Sequence, residues 1–367
     1  MNVKVIMPPL VFSSEALVAL SFIKALRELG VDGISCVYEK EPDSHYISKM
    51  STELVRPLSQ TRTVRGFMIK GPLISSALNY VSLKSLSPGS DLLINLYFRE
   101  YPLGLDLAYI LYPHPILHKT NRVRQSYRGV KRPYFALTYR LIRRLAKSKR
   151  PLCSSEYIRE VLQETHGMNC EVLHPPVIPP PGLKPKPKRK LVIGVGKYLE
   201  LKRWEDFIQV AKLVKERDRE VEFKVIGGFR AADSSPGYFE RLKREAEGVV
   251  ELMTDVGEEE KWDLLFQSRV ILHCQRLDNF GLGVAEAMYA GSVPVVYRST
   301  GPWSDNLQQG KYGLSFLTFE EARDWVLKLM EDQDFFSERS EIARSKASQF
   351  TYYNFKERVK EALEVLV

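Results

Sequence analysis

Cysteine is scarce: only Cys36, Cys153, Cys170 and Cys274 occur in 367 residues, and no two form a CxxC pair. That spacing indicates neither a zinc site nor a disulfide framework, and a reducing cytosol is the expected compartment. No stretch reaches the roughly 20 uncharged apolar residues needed to span a bilayer, so any contact with a membrane is expected at its surface. The opening "MNVKVIMPPLVF" has no basic segment ahead of its apolar run and a Pro-Pro behind it, which reads as a first β-strand and loop rather than a signal peptide. There is no internal repeat and no long low-complexity tract. Acid is also missing over one long stretch: positions 107 to 155 hold twelve Lys/Arg and no Asp or Glu.

The charge that is present is divided unevenly. Residues 1 to 188 carry 27 Lys+Arg against 14 Asp+Glu, a net +13, whereas residues 189 to 367 carry 27 against 31, a net −4. A basic block of this kind suits a phospholipid surface, a lipid phosphate or nucleic acid. Within it, Tyr134 to Lys147 is predicted to be a helix, with Leu137, Leu141 and Leu145 on one stripe and Arg140, Arg143, Arg144 and Lys147 on other faces. Such a helix can lie on an anionic membrane or simply cover a sheet. RNA binding is the reading from another class, since Tyr127, Tyr134, Phe135 and Tyr139 interleave aromatics with the charge.

Strand-length apolar runs alternate with amphipathic stretches. "VKVIM", "GISCVY", "DLLINLYF" and "LAYILY" read as buried strands, and "SEALVALSFIKALREL" has a helical period that stops at Gly30. Residues 174 to 190, "HPPVIPPPGLKPKPKRK", pack seven prolines into seventeen residues and read as a semi-rigid linker. Beyond it the pattern restarts with "LVIGVG", "VEFKVIG", "VVELMT", "RVILHC" and "VPVVY", separated by helical stretches. Near-continuous Val/Ile runs imply strands covered on both faces, so the fold class is α/β with doubly wound parallel sheets. The expected domains are 1–178, a linker at 179–190, 191–346, and a C-terminal helix at 347–367.

The densest chemistry lies in "RLDNFGLGVAEAMYAGSVPVV", residues 276 to 296. Asp278 is expected in the loop after a strand, Glu286 about one turn into a helix starting near Leu282, and Gly291 at the left-handed cap. Unpaired first-turn N–H groups and the helix dipole suit a diphosphate, and Gly281 and Gly283 would let it come close. Carboxylates repel phosphate but accept hydrogen bonds from vicinal hydroxyls, so an acid on either side fits a phosphate flanked by two sugars. Spacing alone fits equally well a tight loop carrying two surface acids.

The segment "DNFGLGVAEAMYAGSVPVV" resembles the E-x7-E motif of the retaining glycosyltransferases of the GT-B fold, glycosyltransferase family 4, whose context is "EGFGLxxxEAMAxGxPVV". The resemblance is strong over 191–316 and weak before 105. It implies two Rossmann-like domains facing a central cleft, with 1–178 binding the acceptor and 191–346 the nucleotide sugar. In such enzymes the first acid meets donor-sugar hydroxyls, the second holds the ribose, and the intervening amides meet sugar and diphosphate. By resemblance these roles fall on Asp278, Glu286 and the segment Asn279, Phe280, Gly281 and Leu282. Asp stands where relatives usually carry Glu, which shortens the reach by one methylene.

"VGKYLELKRW" similarly offers Lys197 and Lys202 to the diphosphate, where two cations would stabilise charge on the leaving nucleotide. The resemblance also assigns His114 in "LYPHPILH", in preference to His118, to a place near the donor sugar and leaving phosphate. Ser13 and Ser14 offer hydroxyls and a helix start to a phosphate or acceptor where many relatives have Gly-Gly. With "STGPWSDNL" and "YPHP", the chain looks most like α-1,2-mannosyltransferases of lipid-linked oligosaccharides. The implied donor is GDP-mannose and the implied acceptor a glycan or polyprenyl-phosphate-linked glycan. A UDP-sugar enzyme for glucose or GlcNAc is the alternative, and an inactive nucleotide-sugar-binding homologue a further one. No cofactor, metal or nucleic acid is expected. The location implied is cytoplasmic, with peripheral membrane contact through residues 119–150.

Overall fold

The computed structural model describes residues 1–10, 14–38, 42, 44–48, 50, 52–65, 91–96, 106–111, 150–228, 237–254 and 256–366. Ser13, His114, His118 and the predicted 134–147 helix lie outside them, as does all of the 119–150 block except Arg150. The chain divides into two units, one of residues 1–174 and 355–367, the other of residues 175–354. No helix among the described residues is long and apolar enough to cross a membrane.

The first unit is built on seven parallel strands: β1 (Asn2–Ile6), β2 (Gly33–Tyr38), β3 (Arg62–Arg65), β4 (Leu92–Asn95), β5 (Leu107–Ile110), β6 (Arg150–Cys153) and β7 (Glu171–Val172). Their spatial order is β3-β2-β1-β4-β5-β6-β7. All four residues of β4 are buried, as a strand covered on both faces requires. The predicted first helix runs Ser14–Glu28, and its Phe22 meets the ring of Phe355 edge-on at 5.1 Å. Phe355 belongs to the last helix, Tyr352–Glu364, whose Lys356 and Arg358 pair with Glu28 and Glu171 at 3.1 and 2.7 Å.

The expectation of no disulfide is corrected here. Cys153 and Cys170 are bonded to each other, with Cα atoms 5.8 Å apart. Their separation of 17 residues hides a close pair, because the intervening helix Glu156–His166 is a crossover. It returns the chain so that β7 lies beside β6, with Cys153 opposite Val172. Cys36 and Cys274 are free and buried.

The second unit has six parallel strands: β8 (Arg189–Val195), β9 (Glu222–Gly227), β10 (Glu251–Thr254), β11 (Ser268–His273), β12 (Val293–Tyr297) and β13 (Leu314–Phe316). The order β10-β9-β8-β11-β12-β13 reverses direction between β8 and β11. Open α/β sheets bind ligands beyond the carboxyl ends of strands at such a reversal. Lys197 follows β8 and Asp278 follows β11, so topology alone brings both loops to that point. The proline-rich stretch is part of this unit, where Val177 donates its N–H to Phe350 at 2.7 Å.

Candidate functional site

The loop after β8 folds back on itself. Trp204 Nε1 donates to the Lys197 carbonyl at 2.9 Å, a 3-10 turn spans Glu200–Lys202, and Arg203 takes a left-handed conformation with φ 59° before the helix Trp204–Lys215. Gly196 has φ 152°, a conformation that side-chain-bearing residues rarely adopt, and a Cβ there would also lie 3.1 Å from Lys202 Cε. The aliphatic stem of Lys202 therefore crosses the end of β8, and its Nζ arrives 3.4 Å from Asp278 Oδ2.

Asp278 is held from several sides. Its N–H donates to Thr300 Oγ1 at 3.0 Å, and its carbonyl accepts from Gly301 at 2.9 Å. His273 Nε2, buried and without a hydrogen-bond partner, lies 3.2 Å from Asp278 Oδ2. Burial alone would raise the Asp278 carboxyl, but the charge of Lys202 together with His273 outweighs it and holds the group well below the usual carboxylate range.

The helix begins at Leu282 and ends at Tyr289, with Gly281 as its N-cap at φ 80° and no side-chain cap. The N–H groups of Val284 and Ala285 return to the Gly281 carbonyl. Those of Leu282 and Gly283 have no intrahelical acceptor, as at any helix start. Gly291 has φ 85° and follows the helix as predicted. The space on the Cβ side of the two inner glycines is occupied. A Cβ on Gly281 would sit 2.7 Å from Pro302 Cγ, and one on Gly283 would sit 3.1 Å from Val195 Cβ. Protein atoms fill both of these spaces, and Gly281 is in addition held in the left-handed conformation that favours glycine. The Phe280 ring is likewise core, edge-on to Phe350 at 5.1 Å.

The segment 299–306 clamps the loop. Asn306 Nδ2 donates to the carbonyls of Phe280 and Gly281 at 2.8 and 3.0 Å, and Ser299 Oγ to that of Arg276 at 2.7 Å. Gly301 packs so tightly that a Cβ would lie 2.0 Å from the Asn279 carbonyl oxygen. The stretch "STGPWSDNL" thus fixes the shape of the 278–281 turn.

Glu286 is 3% exposed, and its Oε1 accepts from Lys261 Nζ at 3.0 Å. Lys261 comes from the helix Glu258–Gln267 and also meets Glu258 at 2.8 Å. Burial pushes the Glu286 carboxyl up, opposed by Lys261. Burial works against the charged Lys261 too, yet its two carboxylates outweigh that and raise it. Sequence reasoning missed Lys261, His273, Thr300 and Asn306. A Lys three residues after a Glu on a helix reads as a solvated face pair, and nothing in the spacing marks it as buried. Of the expected residues, Lys197, Lys202, Asp278, Asn279, Phe280, Gly281, Leu282 and Glu286 lie at the β8 and β11 loops or on the helix that follows. Ser14 opens the first unit's helix.

Comparison with known proteins agrees with this geometry. Residues 180–349 match the family described as glycosyl transferases group 1. A mannosyltransferase of Dictyostelium discoideum, "GDP-Man:Man(3)GlcNAc(2)-PP-Dol alpha-1,2-mannosyltransferase", is 21% identical over 55% of this chain and 43% of its own length. A "Trehalose synthase" of Thermococcus litoralis is 30% identical over 44% of this chain and 41% of its own. The matches thus span less than half the length of either relative. Among solved structures, Anabaena Alr3699/HepE in complex with UDP and glucose superposes with a TM-score of 0.76 at 14% identity, over 100% of both chains. The fold is that of the GT-B glycosyltransferases: two Rossmann-like parallel-sheet units, of which the second carries the group 1 match.

Proposed function

We propose that this protein is a retaining glycosyltransferase that moves a hexose from a nucleoside-diphosphate sugar to a glycan or lipid-linked acceptor. The observation that carries the reading is the pairing of Lys202 with Asp278 at the start of a helix that buries Glu286 one turn further in. A diphosphate suits the helix start and the cations Lys197 and Lys202, while Asp278 and Glu286 can accept from the donor's hydroxyls but would repel its phosphates. In the proposed reaction the bond from the sugar's anomeric carbon to the diphosphate breaks and one to the acceptor oxygen forms. The acceptor's proton passes to the departing diphosphate. Lys197, Lys202 and the first-turn amides would stabilise that charge without a metal.

GDP-mannose is the donor we propose, supported by the Dictyostelium relative's named activity and by the sequence around 278–307. A UDP-sugar is the alternative, favoured by the ligand of the Anabaena neighbour. A polyprenyl-phosphate-linked acceptor, and contact of residues 119–150 with anionic lipid at a cytoplasmic membrane face, belong to the same proposal. Thermal-shift measurements with GDP, UDP, ADP and their sugars test the donor, since a ligand at 100 times its Kd stabilises by about 2.7 kcal/mol. Stabilisation by one nucleotide family, followed by turnover of its sugar, is expected. No response to any nucleotide would overturn the reading, as would unchanged turnover in Glu286→Ala and Lys202→Ala.

A further inference from the structure

Glu286 needs an explanation beyond its own position. A carboxylate buried between two helices is costly unless it is paired, and a well-packed apolar pair would join those helices at least as well. The helices already have such a joint: Trp262 and Tyr289, each close in sequence to the charged pair, meet edge-on at 5.9 Å. An apolar contact thus already joins the two helices beside the ion pair. Its ammonium is engaged by Glu258 on one side and by Oε1 of Glu286 on the other, and it is itself 5% exposed. Among the described residues, Oε2 of Glu286 has no partner.

We propose that Lys261 is a positioning residue that holds Glu286 ionised and oriented, so that the carboxylate recognises the vicinal hydroxyls of a nucleotide's ribose. This inference rests on the nucleotide-sugar reading above and adds to it the source of ribose selectivity. Two features make the arrangement suited to a diol. An ionised carboxylate only accepts hydrogen bonds, whereas a protonated one would offer a donor to half of its partners. Oε1 keeps a second lone pair after accepting from Lys261, and Oε2 keeps both, so two adjacent hydroxyls can be accepted together. Without Lys261, burial and the neighbouring Glu258 would favour protonation of Glu286. The cation thus acts on the ligand through Glu286.

The test is the affinity of GDP and UDP, measured by calorimetry against their 2′-deoxy and 3′-deoxy counterparts. The protein as it stands should prefer the ribose form of the nucleotide it binds by about tenfold or more, the scale of a hydrogen bond to a charged group. Lys261→Met should reduce that preference to about twofold or less by weakening the ribose form alone. Lys261→Met combined with Glu258→Gln removes one cation and one acid together, restoring the cluster's net charge, and should give the same collapse if the single variant does not fold. Equal weakening of ribose and deoxyribose forms would show Lys261 to be a helix joint only, and the inference would fall. It would fall too if a folded variant kept the full preference, or if the parent protein bound nucleotide with no ribose preference. Absence of nucleotide binding in the parent would instead defeat the nucleotide-sugar reading itself.

Discussion

Lys202 Nζ and Asp278 Oδ2 lie 3.4 Å apart, so the cation proposed for the donor's diphosphate and the acid proposed for its sugar are paired with each other. On that proposal a diphosphate would draw Lys202 at least partly from Asp278, while the sugar's hydroxyls would take over the acid. Binding of the two ends of the donor would thereby be linked.

That link separates two substitutions. Lys202→Ala should weaken both the nucleoside diphosphate and its sugar by about 10-fold or more, the loss of one charge-assisted contact. Asp278→Asn should leave the bare diphosphate as tight or tighter, because Lys202 is released, while the extra affinity contributed by the sugar disappears. Calorimetric titration of each variant with both ligands measures the ratio; a parallel loss in the two variants would contradict the linkage.

Asp278 also sets an acid limit. Its carboxyl is held below the ordinary range in the folded protein, so its pairing stabilises the fold above the unfolded value of about 4 and is lost as pH falls further. Chemical denaturation from pH 6 to 3 should show a steeper loss of stability in the parent than in Asp278→Asn. Coincident slopes would place the acid sensitivity elsewhere.

The clamp on the loop predicts an unequal pair of alanine substitutions. Gly301→Ala places a Cβ 2.0 Å from the Asn279 carbonyl oxygen, a backbone atom that cannot swing away. Gly283→Ala meets Val195 at 3.1 Å, which a small shift relieves. The first should destabilise by about 2 kcal/mol or more and the second by about 1 kcal/mol or less, read from denaturation midpoints.

Lys188 gives a prediction away from the site. Its Nζ donates to the carbonyls of Leu265, Ser268 and Ala290 at 3.2, 2.8 and 2.8 Å. Leu265 lies in the last turn of one helix and Ala290 just past the end of another, where carbonyls lack intrahelical partners. Lys188→Met keeps much of the side-chain volume but removes the donor from the Ala290 carbonyl, while the Leu265 and Ser268 carbonyls keep the Ser292 hydroxyl, and should cost about 1 to 3 kcal/mol in urea unfolding. Nucleotide affinity at 25 °C should hardly change.

Much of this was legible in the sequence because strand-length Val/Ile runs and a glycine after a helix have local causes. The helix Trp204–Lys215, the strand Val293–Tyr297 and the cap at Gly291 all follow from such signals. Partners joined by tertiary contact left no comparable trace. Lys261 reaches Glu286 across 25 residues and Lys202 reaches Asp278 across 76, distances over which periodicity says nothing. Cys153 and Cys170 illustrate the same limit, since only the return of a crossover helix makes them neighbours. Gly281 and Gly283 show the limit from another side, because a sequence does not say which atoms, such as those of Pro302 and Val195, fill the space beside a glycine.

The division of the chain bears on the order of its synthesis. Residues 175–354 form one uninterrupted unit, whereas the unit that begins at residue 1 also includes residues 355–367. On the ribosome the part made first is therefore completed last, after the later unit has all of its residues. Until Phe355 arrives to cover Phe22, the nascent first unit waits with an aromatic core residue lacking its edge-on neighbour.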